Sequence, residues 1–111
     1  MDITIQTNND ITIALVVGEI DGKTAPSAQE SLVPLTQGGG KLILDLSQVS
    51  YMSSAGLRVL LLLYRQMAGN NGQIALVGLS EELKDTMSIT GFLKFFLTSE
   101  TLADGIAALS T

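Results

Sequence analysis

The chain has 111 residues, of which 46% are hydrophobic and 15% are charged, and its formal net charge at pH 7 is −5. These values predict one folded domain over residues 1–111 and exclude a disordered chain. The acidic balance argues against binding to nucleic acid or to an anionic membrane surface. Both would need clustered basic residues, and the sequence contains only six Lys and Arg.

The sequence also indicates the compartment. Its apolar runs are far shorter than the roughly 20 residues that cross a bilayer. The first ten residues, MDITIQTNND, lack the basic start and apolar stretch of a signal peptide. The absence of cysteine agrees with a reducing compartment. We therefore expect a cytoplasmic location.

The N-terminal part of the sequence predicts a β-hairpin followed by a helix. Apolar residues alternate with smaller or polar ones over residues 3–5 and 11–17, a period of two that is typical of strands with one buried face. Residues 8–10, Asn-Asn-Asp, favour a turn between the two strands. The helix is expected to have Thr24 as its N-cap and Pro26 in its first turn, where a missing N–H group costs nothing.

The middle of the sequence predicts a central strand and a long helix. Pro34 is expected to shorten the last turn of the first helix. The largely apolar residues 42–46 then predict a strand shielded on both faces, and Asp45 and Ser47 indicate a polar turn that begins at its end. A helix over residues 54–68 follows, and the sequence Gly-Asn-Asn-Gly ends it.

The last third of the sequence predicts two more strands and two more helices. Residues 74–77 indicate a fourth strand. Ser80, followed by two glutamates, indicates the N-cap of a short helix that ends near Gly91. Residues 94–97 predict a fifth strand at the sheet edge, and Ser99 is the expected N-cap of a last helix. That helix carries apolar residues at i, i+4 and i+7 spacing, which are Leu102, Ile106 and Leu109.

Strands that alternate with helices predict an α/β fold with crossover connections. Because the first two strands form a hairpin, the sheet is expected to be mixed and mostly parallel. We expect four to five strands and about four helices in this single domain.

The helix predicted over residues 54–68 has more apolar residues than one packing face needs. One side of its helical wheel is expected to pack against the sheet. That side carries Leu57, Leu60, Leu61, Tyr64, Met67 and Ala68. Arg58 and Arg65 mark the opposite, solvent side, yet Val59 and Leu62 lie on or near it. Either a neighbouring helix covers these two residues, or they form a docking surface beside the start of the helix.

Two serines, Ser53 and Ser54, mark the start of this helix. Serine favours such a position because its side-chain oxygen accepts a hydrogen bond from a free N–H group of the first turn. The small residues Ala55 and Gly56 follow, and they allow another backbone to approach closely. Taken alone, a serine here is a plain N-cap.

Residues 45–60, DLSQVSYMSSAGLRVL, closely resemble the signature of the STAS domain, in the branch of small bacterial anti-sigma-factor antagonists. Residues 17–21, VGEID, resemble that family's Gly-Glu-x-Asp turn, and the hydrophobic pattern is similar over nearly the whole chain. The resemblance implies that Ser54 is the residue that a partner kinase phosphorylates. Many relatives carry Asp immediately before the phosphoacceptor. This chain has Ser53 there, and Ser53 is the alternative acceptor.

The family's cycle then predicts the partners. A serine kinase that is also an anti-sigma factor binds the unphosphorylated antagonist and releases its sigma factor. Phosphorylation makes the antagonist dissociate, and a PP2C-type phosphatase resets it. Asp21, in the family-like turn, either contacts the kinase or only stabilises the turn. The predicted partner-binding residues are Asp21, Ser53, Ser54, Arg58, Val59 and Leu62.

Two other interpretations stay open. The chain is alternatively a STAS interaction module in a stress-signalling scaffold or a lipid-transport assembly, without phosphorylation. The edge strands and the outer side of the long helix also offer surfaces for a homodimer.

An enzyme is disfavoured because the sequence contains no histidine that would activate a serine nucleophile. Met52 stands where a nucleophile elbow has its first glycine. We expect no metal, because no carboxylate spacing matches a calcium loop, and no cofactor.

Overall fold

The structure is a computed structural model that describes residues 1–110. Within that range it forms one sheet of five strands and four α-helices, with two short 3₁₀ helices. The elements in chain order are β1 (Asp2–Asn8), β2 (Ile11–Ile20), α1 (Ala25–Leu32), β3 (Lys41–Met52), α2 (Ser54–Gly69), β4 (Gln73–Val77), α3 (Glu81–Ile89), β5 (Leu97–Ser99) and α4 (Leu102–Leu109). The 3₁₀ helices are Val33–Thr36 and Leu93–Phe95.

The strands lie in sequence order, β1-β2-β3-β4-β5. β1 is antiparallel to β2, and the other neighbouring pairs are parallel. The predicted α/β class, mixed sheet and N-terminal hairpin are therefore confirmed. Asn8 pairs with Ile11, which leaves a two-residue turn in which Asn9 adopts a positive φ of 56°.

Two apolar cores lie on opposite faces of the sheet. The larger core contains residues from α1, α2 and α3, and the smaller one lies under α4. As predicted, the apolar start of β3 is shielded on both faces. Leu42 and Leu44 belong to the larger core and Ile43 to the smaller one, and all three are 0% exposed.

β3 is much longer than the sequence indicated, and the predicted turn at Asp45 and Ser47 is wrong. The Asp45 carboxylate accepts hydrogen bonds from the Ser47 N–H at 3.0 Å and from the Ser47 hydroxyl at 2.7 Å while the strand continues. Among the described residues, β3 pairs with β4 only as far as Asp45, and beyond it only with β2. The β2–β3 register shifts twice in this extension, between Leu15 and Val17 and between Gly18 and Glu19.

The helix ends follow the sequence signals in most places. α1 stops before Pro34, which lies in a 3₁₀ turn, and Asn71 follows α2 with a φ of 59°. The Ser80 hydroxyl caps α3 by accepting from the Leu83 N–H at 3.1 Å. Ser99 was a wrong N-cap prediction, because Ser99 ends β5 and Thr101 caps α4.

The remaining corrections concern exposure and one edge strand. Residues 93–95 form a 3₁₀ helix, so β5 starts later than predicted. On α2, Ala68 is exposed although we expected it to face the sheet, whereas Leu63, which we did not place on the packing side, is completely buried. None of the helices formed by residues 1–110 has both the length and the apolar content that crossing a bilayer requires.

Candidate functional site

The candidate site lies where β3 ends and α2 begins. Ser53 has extended backbone angles, and its N–H donates to the carbonyl oxygen of Ile20 at 2.9 Å. Ile20 is the last residue of β2. This hydrogen bond holds the start of α2 against the loop that leads from β2 to α1.

Gly56 makes this close approach possible. It is buried in the first turn of α2. A Cβ atom at this position would lie 2.9 Å from Ile20 Cγ2 and 3.1 Å from the Ile20 oxygen, and it would also clash with the Met52 side chain. The prediction that a small residue here admits a second backbone is confirmed.

The two serines occupy different environments. Ser53, not Ser54, is the N-cap residue, so the plain N-cap interpretation of Ser54 is wrong, and the Ser53 side chain accepts no capping hydrogen bond. Its Oγ atom is buried and has no hydrogen-bond partner among the described residues. Ser54 is the first residue of α2 and is exposed to solvent. Adjacent serines that look equivalent in the sequence therefore differ in the access of another protein to their hydroxyls.

Asp21 organises the loop beside Ser53. Its Oδ1 atom accepts hydrogen bonds from the Thr24 N–H at 3.1 Å and the Lys23 N–H at 2.9 Å. These two donors hold the pKa of Asp21 below its ordinary value, because they stabilise the charged carboxylate. The Thr24 hydroxyl joins the network by donating to the Glu19 carbonyl at 2.9 Å. The turn-stabilising interpretation of Asp21 accounts for these contacts. Its neighbour Ile20 bonds to Ser53, so the turn also borders the start of α2.

A surface groove between α1 and α2 opens beside Ser54. The α2 side of the groove consists of Ala55, Arg58 and Val59. Arg58 is exposed, as predicted. Val59 is only 5% exposed and belongs to the larger core, so its predicted position on an exposed outer side is wrong. α1 covers this part of α2, which was the other interpretation. Leu62 is half-buried and lies outside the groove.

The α1 side of the groove was missed by the sequence reasoning. It is formed by Gly22, Ala25, Pro26, Gln29, Glu30, Val33 and Pro34. α1 buries Ala25, Ala28 and Leu32, a spacing that could have located its core face. The sequence contained no signal that this helix would lie beside α2.

The site lacks two kinds of chemical group that catalysis often uses, and the part of the chain that the structure describes supplies neither. The Ser54 hydroxyl has no histidine to activate it anywhere in the sequence. Residues 1–110 contain no cluster of three or more acidic side chains placed to hold a metal ion. An exposed serine at a helix start, a structured acidic turn and a groove with one cationic side chain remain.

This fold, with a serine at the start of the helix after the central strand, defines a class of domain. The family model described as the STAS domain matches residues 2–105, and the chain belongs to that family. The chain is 41% identical to the anti-sigma-B factor antagonist of Bacillus subtilis over 86 residues, which cover 78% of each protein. It is 30% identical to the BtrV protein of Bordetella bronchiseptica over 100% of this chain and 97% of that protein.

A solved structure gives the same fold. The crystal structure of an anti-sigma factor antagonist from Mycobacterium paratuberculosis superposes with a TM-score of 0.89. Its sequence is 25% identical, and the match covers 99% of this chain and 94% of that one.

Proposed function

We propose that this chain is an anti-sigma-factor antagonist controlled by phosphorylation of Ser54. In this proposal, the unphosphorylated form binds a serine-kinase anti-sigma factor and thereby releases the sigma factor. The observation that carries it is the exposure of Ser54 at the first position of α2, next to Ala55 of the α1–α2 groove. The names of the relatives from Bacillus subtilis and Mycobacterium paratuberculosis support the same function.

The contrast between the two serines supports Ser54 as the acceptor. A kinase must bring the serine oxygen to the terminal phosphate of ATP. The Ser53 oxygen is buried, so its phosphorylation would require the start of α2 to open. Ser54 needs no such opening because its residue is exposed.

The helix start explains how the domain would tolerate the phosphate. Phosphorylation adds about −1.5 to −2 charges and three acceptor oxygens. The first N–H groups of a helix have no intrahelical acceptor, and the Ser53 side chain does not accept from them. These donors and the positive end of the helix dipole favour an anion there. Arg58 follows Ser54 by four residues, a spacing that places both on one helix face.

The same phosphate would repel a docked partner. We assign the partner surface to Ser54, the Asp21 turn and the groove, with Arg58 on the rim and Val59 beneath it. Ser53 holds the start of α2 in place through the hydrogen bond from its N–H to the Ile20 carbonyl. Leu62 lies one helical turn beyond Arg58. A partner that covers this surface with apolar or acidic groups loses affinity when a dianion appears at its centre. A PP2C-type phosphatase would restore binding, and the cycle would operate in the cytoplasm.

The first test is to map the modification. The intact mass of the protein isolated from its native host, followed by fragmentation, should show one phosphate on Ser54. Ser54→Ala should abolish the phosphate and Ser53→Ala should retain it. A phosphate on Ser53, or on the Ser54→Ala protein, contradicts the assignment. Absence of phosphate under all growth conditions would favour the alternative, an interaction module that is not switched by phosphorylation.

The second test measures binding to the host's serine-kinase anti-sigma factor. Ser54→Ala should bind as tightly as the wild type, whereas Ser54→Asp should bind at least about tenfold more weakly, because a buried or repelled charge costs more than about 1.4 kcal/mol. Ser88→Asp is the matched control, since Ser88 is also an exposed helical serine but lies on α3. Equal loss of binding in the Ser54→Asp and Ser88→Asp proteins would indicate a nonspecific effect of charge.

A further inference from the structure

The two edges of the sheet differ in their protection. β5 has three residues, whereas β1 has seven, and six of those seven are exposed. An exposed edge offers unpaired N–H and C=O groups to another strand, and proteins usually block it with lysine, proline, a bulge or a short strand. The β1 sequence, DITIQTN, contains no lysine, proline or glycine, and Asp2 is its only charged residue. Its register with β2 is continuous, without a bulge.

The side chains of β1 are suited to pairing on one face. Ile3 lies opposite Val16 and packs against the larger core. Ile5 lies opposite Ala14, whose small side chain cannot cover it, and Ile5 is 43% exposed. β1 is also rich in β-branched residues, which favour strands. A free, regular edge thus carries an incompletely covered isoleucine at its midpoint.

We propose that β1 pairs antiparallel with β1 of a second copy of this chain, with a twofold axis at Ile5. In this register all seven residues of each strand are paired, and the two five-stranded sheets become continuous. Ile5 lies opposite Ile5 of the second copy, and Ile3 lies opposite Thr7. Asp2 lies opposite Asn8, so the pairing brings no like charges together. A shift by one residue would place the apolar side chains on opposite faces.

The size of this contact sets the strength of the dimer. Seven residues a side is well below the roughly 20 to 30 residues a side of a standard stable interface. Each copy also carries a net charge of −5, so the two copies repel one another at long range. We therefore infer a weak dimer that forms at high protein concentration and is strengthened by salt, which screens the repulsion.

Self-pairing goes beyond the proposed function and does not depend on it. β2 separates β1 from β3, and Ser54 follows β3 at the start of α2. Ser54→Ala, which leaves the net charge unchanged, should therefore leave the dimerisation constant unchanged.

Sedimentation equilibrium of the full chain tests the proposal from micromolar to millimolar concentrations. The wild type should pass from monomer to dimer, and Ile5→Lys should weaken the dimer by about tenfold or more because two lysines would then face one another. Ile89→Lys is the matched control, since Ile89 is 86% exposed on α3. A wild type that stays monomeric throughout, or equal effects of Ile5→Lys and Ile89→Lys, would overturn the proposal.

Disulfide cross-linking tests the register independently of Ile5→Lys. The chain has no cysteine, so a single introduced cysteine can link only to its copy. Directly opposed residues of antiparallel strands have Cα atoms about 4.5 to 5.5 Å apart, which suits a disulfide. Ile5→Cys should cross-link readily, and Thr7→Cys, on the same face but opposite Ile3, should not. Equal cross-linking of both variants would indicate random collision and refute the twofold register.

Discussion

Replacing the N-cap residue of α2 should stabilise this protein, although the same change destabilises most helices. A serine N-cap normally loses about 0.5 to 2 kcal/mol on substitution by alanine, because its oxygen no longer accepts from the first turn. The Ser53 side chain makes no such bond, and its Oγ atom is buried without a partner among the described residues. A buried polar group without a hydrogen bond costs about 1 to 3 kcal/mol. We therefore expect Ser53→Ala to raise the free energy of unfolding by about 1 kcal/mol.

The chain supplies its own control for this prediction. The Ser80 hydroxyl accepts from the Leu83 N–H at 3.1 Å, so Ser80→Ala should lower the free energy of unfolding by about 1 kcal/mol. Urea unfolding followed by circular dichroism measures both variants, and equal m-values would show that the unfolded states are comparable. A loss of stability in Ser53→Ala similar to that of Ser80→Ala would refute the reasoning. It would mean that the Ser53 hydroxyl has a hydrogen-bond partner in solution.

Three further predictions, which use four substitutions, test other parts of the structure. Val59→Ala should lower the free energy of unfolding by about 2 kcal/mol, because Val59 belongs to the larger core. Its neighbour Arg58 is the control, and Arg58→Ala should change that free energy by less than about 0.5 kcal/mol. Urea unfolding measures both variants, and equal effects would contradict the burial of Val59. Gly78→Ala should lower the free energy of unfolding, measured in the same way, by about 2 kcal/mol. The reason is that Gly78 has a φ of +73° and that a Cβ atom there would lie 2.9 Å from the Ser47 Cα. The lowered pKa of Asp21 means that its contribution to stability is complete above its ordinary value of 3.8 and is lost as pH falls through the lower folded-state value. The difference in free energy of unfolding between the wild type and Asp21→Asn should therefore shrink as the pH falls through the folded-state pKa of Asp21. A difference that stays constant with pH would show that ionisation of Asp21 does not contribute to stability.

Most of the fold could be predicted because its signals are local. The alternation in β1 and β2, the unbroken apolar run of β3 and the Ser80 cap each depend on a few neighbouring residues. The length of β3 could not be predicted in this way. Asp45 and Ser47 are typical turn residues, but their side chains bond to one another while the backbone continues to pair with β2. Tertiary pairing overrode the local preference there.

The candidate site was predictable in position but not in detail. The sequence identified the two serines and the small residues after them, because a helix start and a close backbone approach have recognisable residue types. It could not distinguish the buried Ser53 oxygen from the exposed Ser54, since that difference depends on tertiary packing at the start of α2, where the Ser53 N–H bonds to Ile20 of the neighbouring strand. A helical wheel likewise placed Val59 toward solvent, because the wheel contains no information about where α1 lies.

The uneven pairing of β3 has a consequence for how the region around Ser54 moves. Residues 41–45 have a strand on each side, whereas residues 46–52 have β2 as their strand neighbour. Opening the second segment breaks fewer ladder hydrogen bonds, so its amides should exchange with solvent through smaller, local fluctuations while the five-stranded layer stays closed. The start of α2 is therefore attached to the least constrained part of the central strand. A bound protein could remodel that part without unfolding the domain.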